Sequence, residues 1–421
     1  MILKCKYGYV DYNINDDIVI DNIGKVVDLG KLIERLVACN ASRGKDIINK
    51  SKIDLKNHHF VNNVLKRDAY IIKRLVRIGK LETGENNTIT DVKGVSVGHK
   101  SVNEGNYHTG VTVIKPHQGN VFRDKVVASS YSFNGFGKSI GFVQIEELGT
   151  IETNIVFTST MNVGKIADGV IEEALDNNPE IGETTGTVNP IVMECNDGGL
   201  NKSRDRILEK QDYFDALKDA NVCFKQGNVG AGCGMVCHGF KGGIGSSSRK
   251  VKIENKEYTV GIILNSNFGS SNGEDLIING KKYKDIEKDD LLMDEKGSIV
   301  VCLATDAPLN ERQIKRLLKR IEIGIGRTGS FAGNGSGDVF VGFSTKNMRS
   351  HFDSSVESDI KYFSDDKINP LFRATVEATE EAVLNSLLFS SSVDGYRAKA
   401  SSLGEESYKI ADMIDEEIIW K

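Results

Sequence analysis

The stretch Lys296-Gly297-Ser298-Ile299-Val300-Val301-Cys302-Leu303-Ala304-Thr305-Asp306-Ala307-Pro308-Leu309 joins a hydrophilic linker to a run of apolar residues, and the junction falls on a serine. A run of this kind reads as a buried strand. Upstream of it, Lys281 to Lys296 is polar and acidic, as expected of an exposed connection.

Outward from this strand, short β-branched runs punctuated by glycine recur from about Asn87: Ile89-Thr90-Asp91-Val92, Val95-Ser96-Val97, Gly110 to Ile114 and Lys125 to Ala128. They predict strands with tight turns. Helical spacing recurs at about 162–175 (Val163, Ile166, Ala167, Val170, Ile171, Ala174), at 310–323 and at 370–388. Asn310 with Gln313 makes a capping-box pattern ahead of Ile314, Leu317, Leu318 and Ile321. Strand groups separated by long helices predict a layered α/β architecture with helices covering sheets.

Residues 1–82 differ from the remainder, being poorer in glycine and basic. A β-like opening (Tyr7, Tyr9, Val10, Ile18, Val19, Ile20) precedes two helical patterns, Val26 to Val37 and Val61 to Val76. The expectation is a small, mainly helical appendage. Its cluster Lys66, Arg67, Lys73, Arg74 and Arg77 lacks interleaved aromatics and reads as a solvated helix face rather than a nucleic-acid surface.

Of the 421 residues, 39% are hydrophobic and 43 are glycine against 5 prolines, so the chain can bury a full core and is neither disordered, collagenous nor coiled coil. Lys+Arg 54 against Asp+Glu 59 leaves −5, which asks for neither nucleic acid nor an anionic membrane as partner. Apolar runs stop short of the roughly 20 residues a bilayer span needs, and the start Met1-Ile-Leu-Lys-Cys-Lys6 has no signal-peptide core. A cytoplasmic protein is expected. Its 7 cysteines, odd in number and sparse, read as reduced thiols.

Two motifs promise more than they hold. Gly227-Asn-Val-Gly-Ala-Gly232-Cys-Gly234 lacks the Lys-Ser/Thr ending of a phosphate loop, so close backbone crossing explains it better. Cys233-x-x-x-Cys237-His238 has no second pair of ligands nearby in sequence, and no metal is expected there. No Gly-x-Ser-x-Gly elbow occurs.

The chemistry lies at Gly297-Ser298. If that bond were cut, Ser298 would carry a hydroxyl and an α-amine side by side, a nucleophile and base in one residue. An α-amine titrates near pH 7.7–8.0, so it can accept the hydroxyl proton without a histidine. The cut can be autocatalytic: the Ser298 hydroxyl attacks the Gly297 carbonyl, and water opens the resulting ester. Glycine before the serine permits the backbone geometry this needs.

Further segments share this logic: Ile89-Thr-Asp-Val-Lys-Gly94-Val-Ser-Val-Gly98-His99, Thr109-Gly-Val-Thr112, Gly227-Asn-Val-Gly, His238-Gly-Phe-Lys-Gly-Gly-Ile-Gly245, Gly261-Ile-Ile-Leu-Asn-Ser-Asn267-Phe268-Gly269, Glu311 to Ser330, and Asn334-Gly335-Ser336-Gly337-Asp338 running on to Thr345. In this order, from about residue 80 to the C-terminus, they resemble the L-aminopeptidase/D-esterase family, which includes β-aminopeptidases. The resemblance implies a four-layer αββα sandwich, similar to that of ornithine acetyltransferase, spanning residues 83–421. It also implies self-cleavage at 297/298 into an α chain (1–297) and a β chain (298–421), assembly of such heterodimers into larger homo-oligomers, and no metal or organic cofactor. Substrates would be short peptides, amino-acid amides or esters that lose their N-terminal residue.

By the same resemblance Ser298 is the nucleophile, Asn267 an oxyanion donor, and Ser336 with Asp338 orient the nucleophile and its amine. Spacing of two in a strand puts the last pair on one face. Asp338 stands where many relatives carry glutamate. Where some relatives place a tyrosine, Glu194-Cys195-Asn196-Asp197 has none, leaving Asn196 as a substitute donor and Glu194 as a contact for the substrate ammonium. Asn134-Gly-Phe-Gly137-Lys138 matches a substrate-binding segment but carries lysine in place of an acid, so altered substrate preference is expected. Acyl transfer of the ornithine acetyltransferase type is the alternative on the same fold, although that signature is lacking. A non-catalytic scaffold is the third reading, and the intact Ser298, Asn267, Ser336 and Asp338 speak against it.

Overall fold

The computed structural model describes residues 78–284, 295, 297–357 and 360–404, and the backbone of four short strands nearer the N-terminus. Contacts divide the chain into two compact units, Met1–Arg77 with Gly404–Lys421, and Ile78–Leu403. In the first, Ile2–Cys5, Gly8–Tyr12, Ile18–Asp21 and Val26–Asp28 form an antiparallel sheet in sequence order. Of the β-like opening, Tyr9, Val10, Ile18, Val19 and Ile20 fall within it. Val26 and Val27, expected to begin a helix, instead form the last strand; two adjacent valines pair more readily than they wind. The remaining helical patterns and the basic cluster lie outside the described residues.

The second unit is built from two sheets. One contains β1 (Ser96–Glu104), β2 (Tyr107–Lys115), β5 (Ile155–Ser159) and β6 (Ile191–Cys195), in the order β6-β5-β2-β1. The other contains β3 (Asp124–Gly135), β4 (Thr150–Ile151), β7 (Gly243–Ile253), β8 (Lys256–Asn267), β9 (Ser298–Thr305) and β10 (Gly337–Ser350), in the order β7-β8-β9-β10-β3-β4. The sheets face each other. Ile114, Phe157, Met193 and Cys195 from the first pack with Ala128, Ile263, Val300, Cys302, Val341 and Phe343 from the second in one cluster.

Helices close the outer faces. On the smaller sheet, α1 (Val163–Asn177) and α2 (Lys210–Lys218) set Ile166, Val170, Tyr213 and Ala216 against Val111, Val113, Val156 and Val192. On the larger sheet lie α3 (Glu311–Gly326) and α4 (Asn369–Leu388). Gly245 makes the α4 contact possible: a Cβ there would sit 1.9 Å from the Ala382 carbonyl oxygen. The result is the expected four-layer αββα sandwich. All eight residues of β9 are buried, which is why its sequence is one apolar run.

The helices at 162–175, 310–323 and 370–388 form with ends shifted by a few residues, and the capping box is realised: Asn310 Oδ1 accepts the Gln313 N–H at 2.9 Å, and Gln313 Oε1 accepts the Asn310 N–H at 3.2 Å. Ile89–Asp91 is a 3-10 turn rather than a strand, because the Asp91 carboxylate accepts the N–H groups of Asn86 and Thr88 and the Ser248 hydroxyl. Lys281–Lys282, read as linker, pairs with Ile277–Ile278. Among the described residues no helix is long and apolar enough to cross a membrane.

Candidate active site

Ser298 is the first residue of β9. It pairs with Asn267, the last residue of β8, on one side and with Gly337, the first residue of β10, on the other. Three strand ends thus meet at one point, and the central one begins with the serine. Alternation from Val300, Cys302 and Ala304 turns the Ser298 side chain into the space between the sheets. There it is buried, with the Cys195 thiol of the opposite sheet beside it, yet its hydroxyl has no hydrogen bond of good geometry among the described residues. Burial pushes the Cys195 thiol far above its ordinary range, so it stays protonated, and it donates to the Asn265 carbonyl at 3.4 Å. The candidate reactive group at this point is therefore the Ser298 hydroxyl and not the Cys195 thiol.

Gly297 precedes it with φ +141°, and a Cβ there would lie 1.9 Å from the Asn267 carbonyl oxygen. Only glycine fits. The Gly297 carbonyl accepts the Gly337 N–H at 3.2 Å.

Asn267 is buried and held in one orientation. Its Oδ1 accepts the Val236 N–H at 3.0 Å, which leaves Nδ2 as the donor; one of its hydrogens goes to the Asn196 carbonyl at 3.1 Å. The second hydrogen is available beside Ser298. Val236 is itself held by a brace that the sequence did not advertise. Lys241 is completely buried, and its Nζ donates to the carbonyls of Gly232 (2.8 Å), Met235 (3.0 Å) and Gly242 (2.9 Å). Burial lowers its pKa to about 7. A lone lysine among glycines reads as a solvated residue, which is why its role was missed. The glycines around it do what spacing suggested: a Cβ on Gly243 would meet the Gly227 carbonyl at 2.2 Å.

Ser336 and Asp338 do lie on one face, the Ser336 hydroxyl donating to Asp338 Oδ1 at 2.6 Å. Asp338 pairs across with Ile299, so by alternation this carboxylate serves the backbone side of the nucleophile strand rather than the Ser298 hydroxyl directly. It lies against the Ile299 amide, one residue from the Ser298 nitrogen, and its Oδ2 is buried without a partner among the described residues. Burial raises its pKa to about 6, the Ser336 bond opposes that rise, and Glu295 adds to it. On α3, burial lifts Glu322 to about 8, with Asp338 contributing.

Glu194, Asn196 and Asn134 turn out differently from one another. Glu194 is buried; it accepts the Lys138 N–H at 2.9 Å and the Thr160 hydroxyl. Asn196 meets Asn267 through its backbone carbonyl, while its side chain folds back to accept the Gly198 N–H at 3.0 Å. It therefore orients the expected donor instead of replacing the tyrosine. Asn134 donates to the Gly333 carbonyl at 2.8 Å and so ties the end of β3 to the loop before β10.

Besides Lys241, the environments of Glu295 and His238 differ from the sequence reading. Glu295, placed in an exposed linker, is 4% exposed and is bonded by the Phe331 N–H (2.8 Å) and the Ser330 hydroxyl. His238 is completely buried with φ +48°; both ring nitrogens lack partners among the described residues, and burial drops its pKa to about 4. Its ring stands edge-on to Phe268 at 5.2 Å. Cys233 and Cys237 are buried nearby in sequence, and among the described residues no three His, Cys, Asp or Glu side chains gather as metal ligands.

The sequence profile of peptidase family S58 matches residues 87–401. Over 338 residues the chain is 35% identical to β-peptidyl aminopeptidase BapA of Sphingosinicella microcystinivorans, covering 74% of this chain and 84% of that one. Among solved structures, the PH0078 protein of Pyrococcus horikoshii OT3 superimposes with a TM-score of 0.75 at 44% identity, over 80% of this chain and 96% of its own. A β-aminopeptidase of Burkholderia sp. gives 0.73 at 34% identity, over 82% and 98%. The L-aminopeptidase D-Ala-esterase/amidase of Ochrobactrum anthropi, described as a variant of the Ntn hydrolase fold, gives 0.74 at 31% identity, over 81% and 98%. With a family profile matching residues 87–401 and relatives at 35% identity over 74% of its length, this chain belongs to peptidase family S58.

Proposed function

We propose that this protein is a self-cleaving N-terminal-serine aminopeptidase that removes the first residue from short peptides, amides or esters. The observation that carries the reading is Ser298 itself: an unengaged hydroxyl at the start of a central strand, preceded by a glycine in a conformation closed to other residues. Cutting the Gly297–Ser298 bond leaves the hydroxyl and a new amine on the same residue.

In the mature enzyme the Ser298 hydroxyl attacks the substrate's first carbonyl while its own amine takes the proton. The Asn267 amide, already fixed in orientation, faces the developing oxyanion; such a donor contributes roughly 3–4 kcal/mol in acyl transfer. The amine then protonates the leaving group, and water releases the acyl residue by the reverse sequence. Ser336 and Asp338 hold the amine from the backbone side. In this reading Glu194, whose carboxylate is buried and bonded by the Lys138 N–H and the Thr160 hydroxyl, would have to give up one of those bonds to meet a substrate ammonium. Relatives named as aminopeptidases favour hydrolysis over acyl transfer and over a scaffold role. Processed heterodimers assembling into larger oligomers belong to the same reading.

The test is the intact mass of purified protein with N-terminal sequencing of its smaller fragment, expected to begin Ser-Ile-Val-Val. Ser298→Ala should stay whole and inactive. A whole wild-type chain that turns over aminoacyl amides would overturn the reading.

A further inference from the structure

The precursor holds its own scissile bond with a set of contacts separate from those that face a substrate. Upstream of the bond, both oxygens of the Glu295 carboxylate are engaged, by the Phe331 N–H and the Ser330 hydroxyl. At the bond, the Gly297 carbonyl accepts the Gly337 N–H at 3.2 Å. All three donors belong to one connection, residues 330–337, which is tied to β3 through Asn134 and the Gly333 carbonyl. The strand ladder fixes the downstream side, since Ser298 pairs with both Asn267 and Gly337. The Asn267 Nδ2, meanwhile, donates to the Asn196 carbonyl, and among the described residues it makes no bond to the Gly297 carbonyl.

Resting on the self-processing reading above, we propose that the two reactions of this chain use different oxyanion donors: the Gly337 N–H serves self-cleavage, with Glu295 as the positioning residue that staples the scissile segment, and the Asn267 amide serves substrate hydrolysis. In the first reaction the Ser298 Oγ forms a bond to the Gly297 carbonyl carbon, whose oxygen already points at the Gly337 N–H. The C–N bond to Ser298 then breaks, and the hydroxyl proton ends on that nitrogen as it becomes an amine. Water opens the ester, returning the Ser298 hydroxyl and leaving Gly297 as a carboxylate. No other reactant is required. Once the bond is cut, Glu295 belongs to a free chain end and has no part in turnover.

The experiment follows full-length chains in cell-free synthesis by denaturing gel, then measures turnover per processed molecule. Asn267→Ala should cut within a few-fold of the wild-type rate while its kcat falls by roughly 100- to 1000-fold. Glu295→Gln should cut at least ten-fold more slowly, and Ser330→Ala should slow cutting in the same direction; molecules of Glu295→Gln that do mature should match wild-type kcat/KM. Thermal midpoints of Glu295→Gln and of wild type, both in the Ser298→Ala background, should agree, separating lost alignment from lost folding. An uncut Asn267→Ala chain beside a normally cutting wild type would overturn the division of donors. Wild-type cutting rates in both Glu295→Gln and Ser330→Ala would overturn the staple. If wild type itself stays whole, the self-processing reading fails instead.

Discussion

At the scale of single residues, the chemistry of the site is set by which side of a strand each group occupies. Ser298 and Asn267 point between the sheets, whereas Asp338 approaches from the backbone side of the nucleophile strand. An anion there favours the protonated form of the mature Ser298 amine, so its removal must lower that amine's pKa. In Asp338→Asn the acidic limb of the kcat/KM pH profile should therefore move down by roughly one unit, with a lower kcat at the optimum. An unmoved limb would deny Asp338 this role. Ser298 was legible as a candidate because a glycine and a buried-type strand flank it, whereas Asn267, Ser336 and Asp338 were named only through the resemblance to a family. Glu295 and Lys241 were not legible, since a charged side chain in a polar or glycine-rich stretch reads as solvated until the fold buries it.

Among secondary-structure elements, periodicity located those with a continuous apolar stripe and failed where local hydrogen bonding competed. The long helices α1, α3 and α4 were visible in the sequence, but α2, short and half polar, was not. The Ile89–Asp91 turn shows the same competition, won by an aspartate side chain. Periodicity also says nothing of how α4 is fastened to β7. Arg249, completely buried, reaches Glu381 Oε2 at 2.6 Å and Glu377 Oε2 at 3.6 Å, and also donates to the carbonyls of Ile78 and Ser248. Replacing it by methionine would leave buried Glu381 without its cation and buried Glu377 with only Arg373, at 3.7 Å. Arg249→Met should lose roughly 3–5 kcal/mol in urea unfolding, a penalty dominated by those stranded charges. A loss below 1 kcal/mol would show that they are not truly desolvated.

For the molecule as a whole, buried carboxyls give stability a pH dependence of definite sign. Asp197 is 1% exposed, and burial raises its pKa from 3.8 to about 6 against the opposing bonds from Thr109 and Asn201. The folded state therefore holds this proton more tightly than the unfolded chain does. The contribution is full below the unfolded pKa and disappears as pH rises through about 6. At roughly 1.4 kcal/mol per unit it amounts to about 3 kcal/mol. Urea midpoints should fall between about pH 4 and 6 in wild type, and Asp197→Asn should flatten that decline. An equal slope in both chains would assign the dependence elsewhere.

The order of the larger sheet carries a last consequence. Strands β9 and β10 follow Ser298 in the chain, yet their neighbours on either side, β8 and β3, precede it. If the chain is cut as proposed, its two products are laced through one sheet, like fingers of clasped hands. Dilution cannot part them short of melting the whole sandwich, and neither piece made alone owns a complete set of partners. Folding has to come first and the cut second.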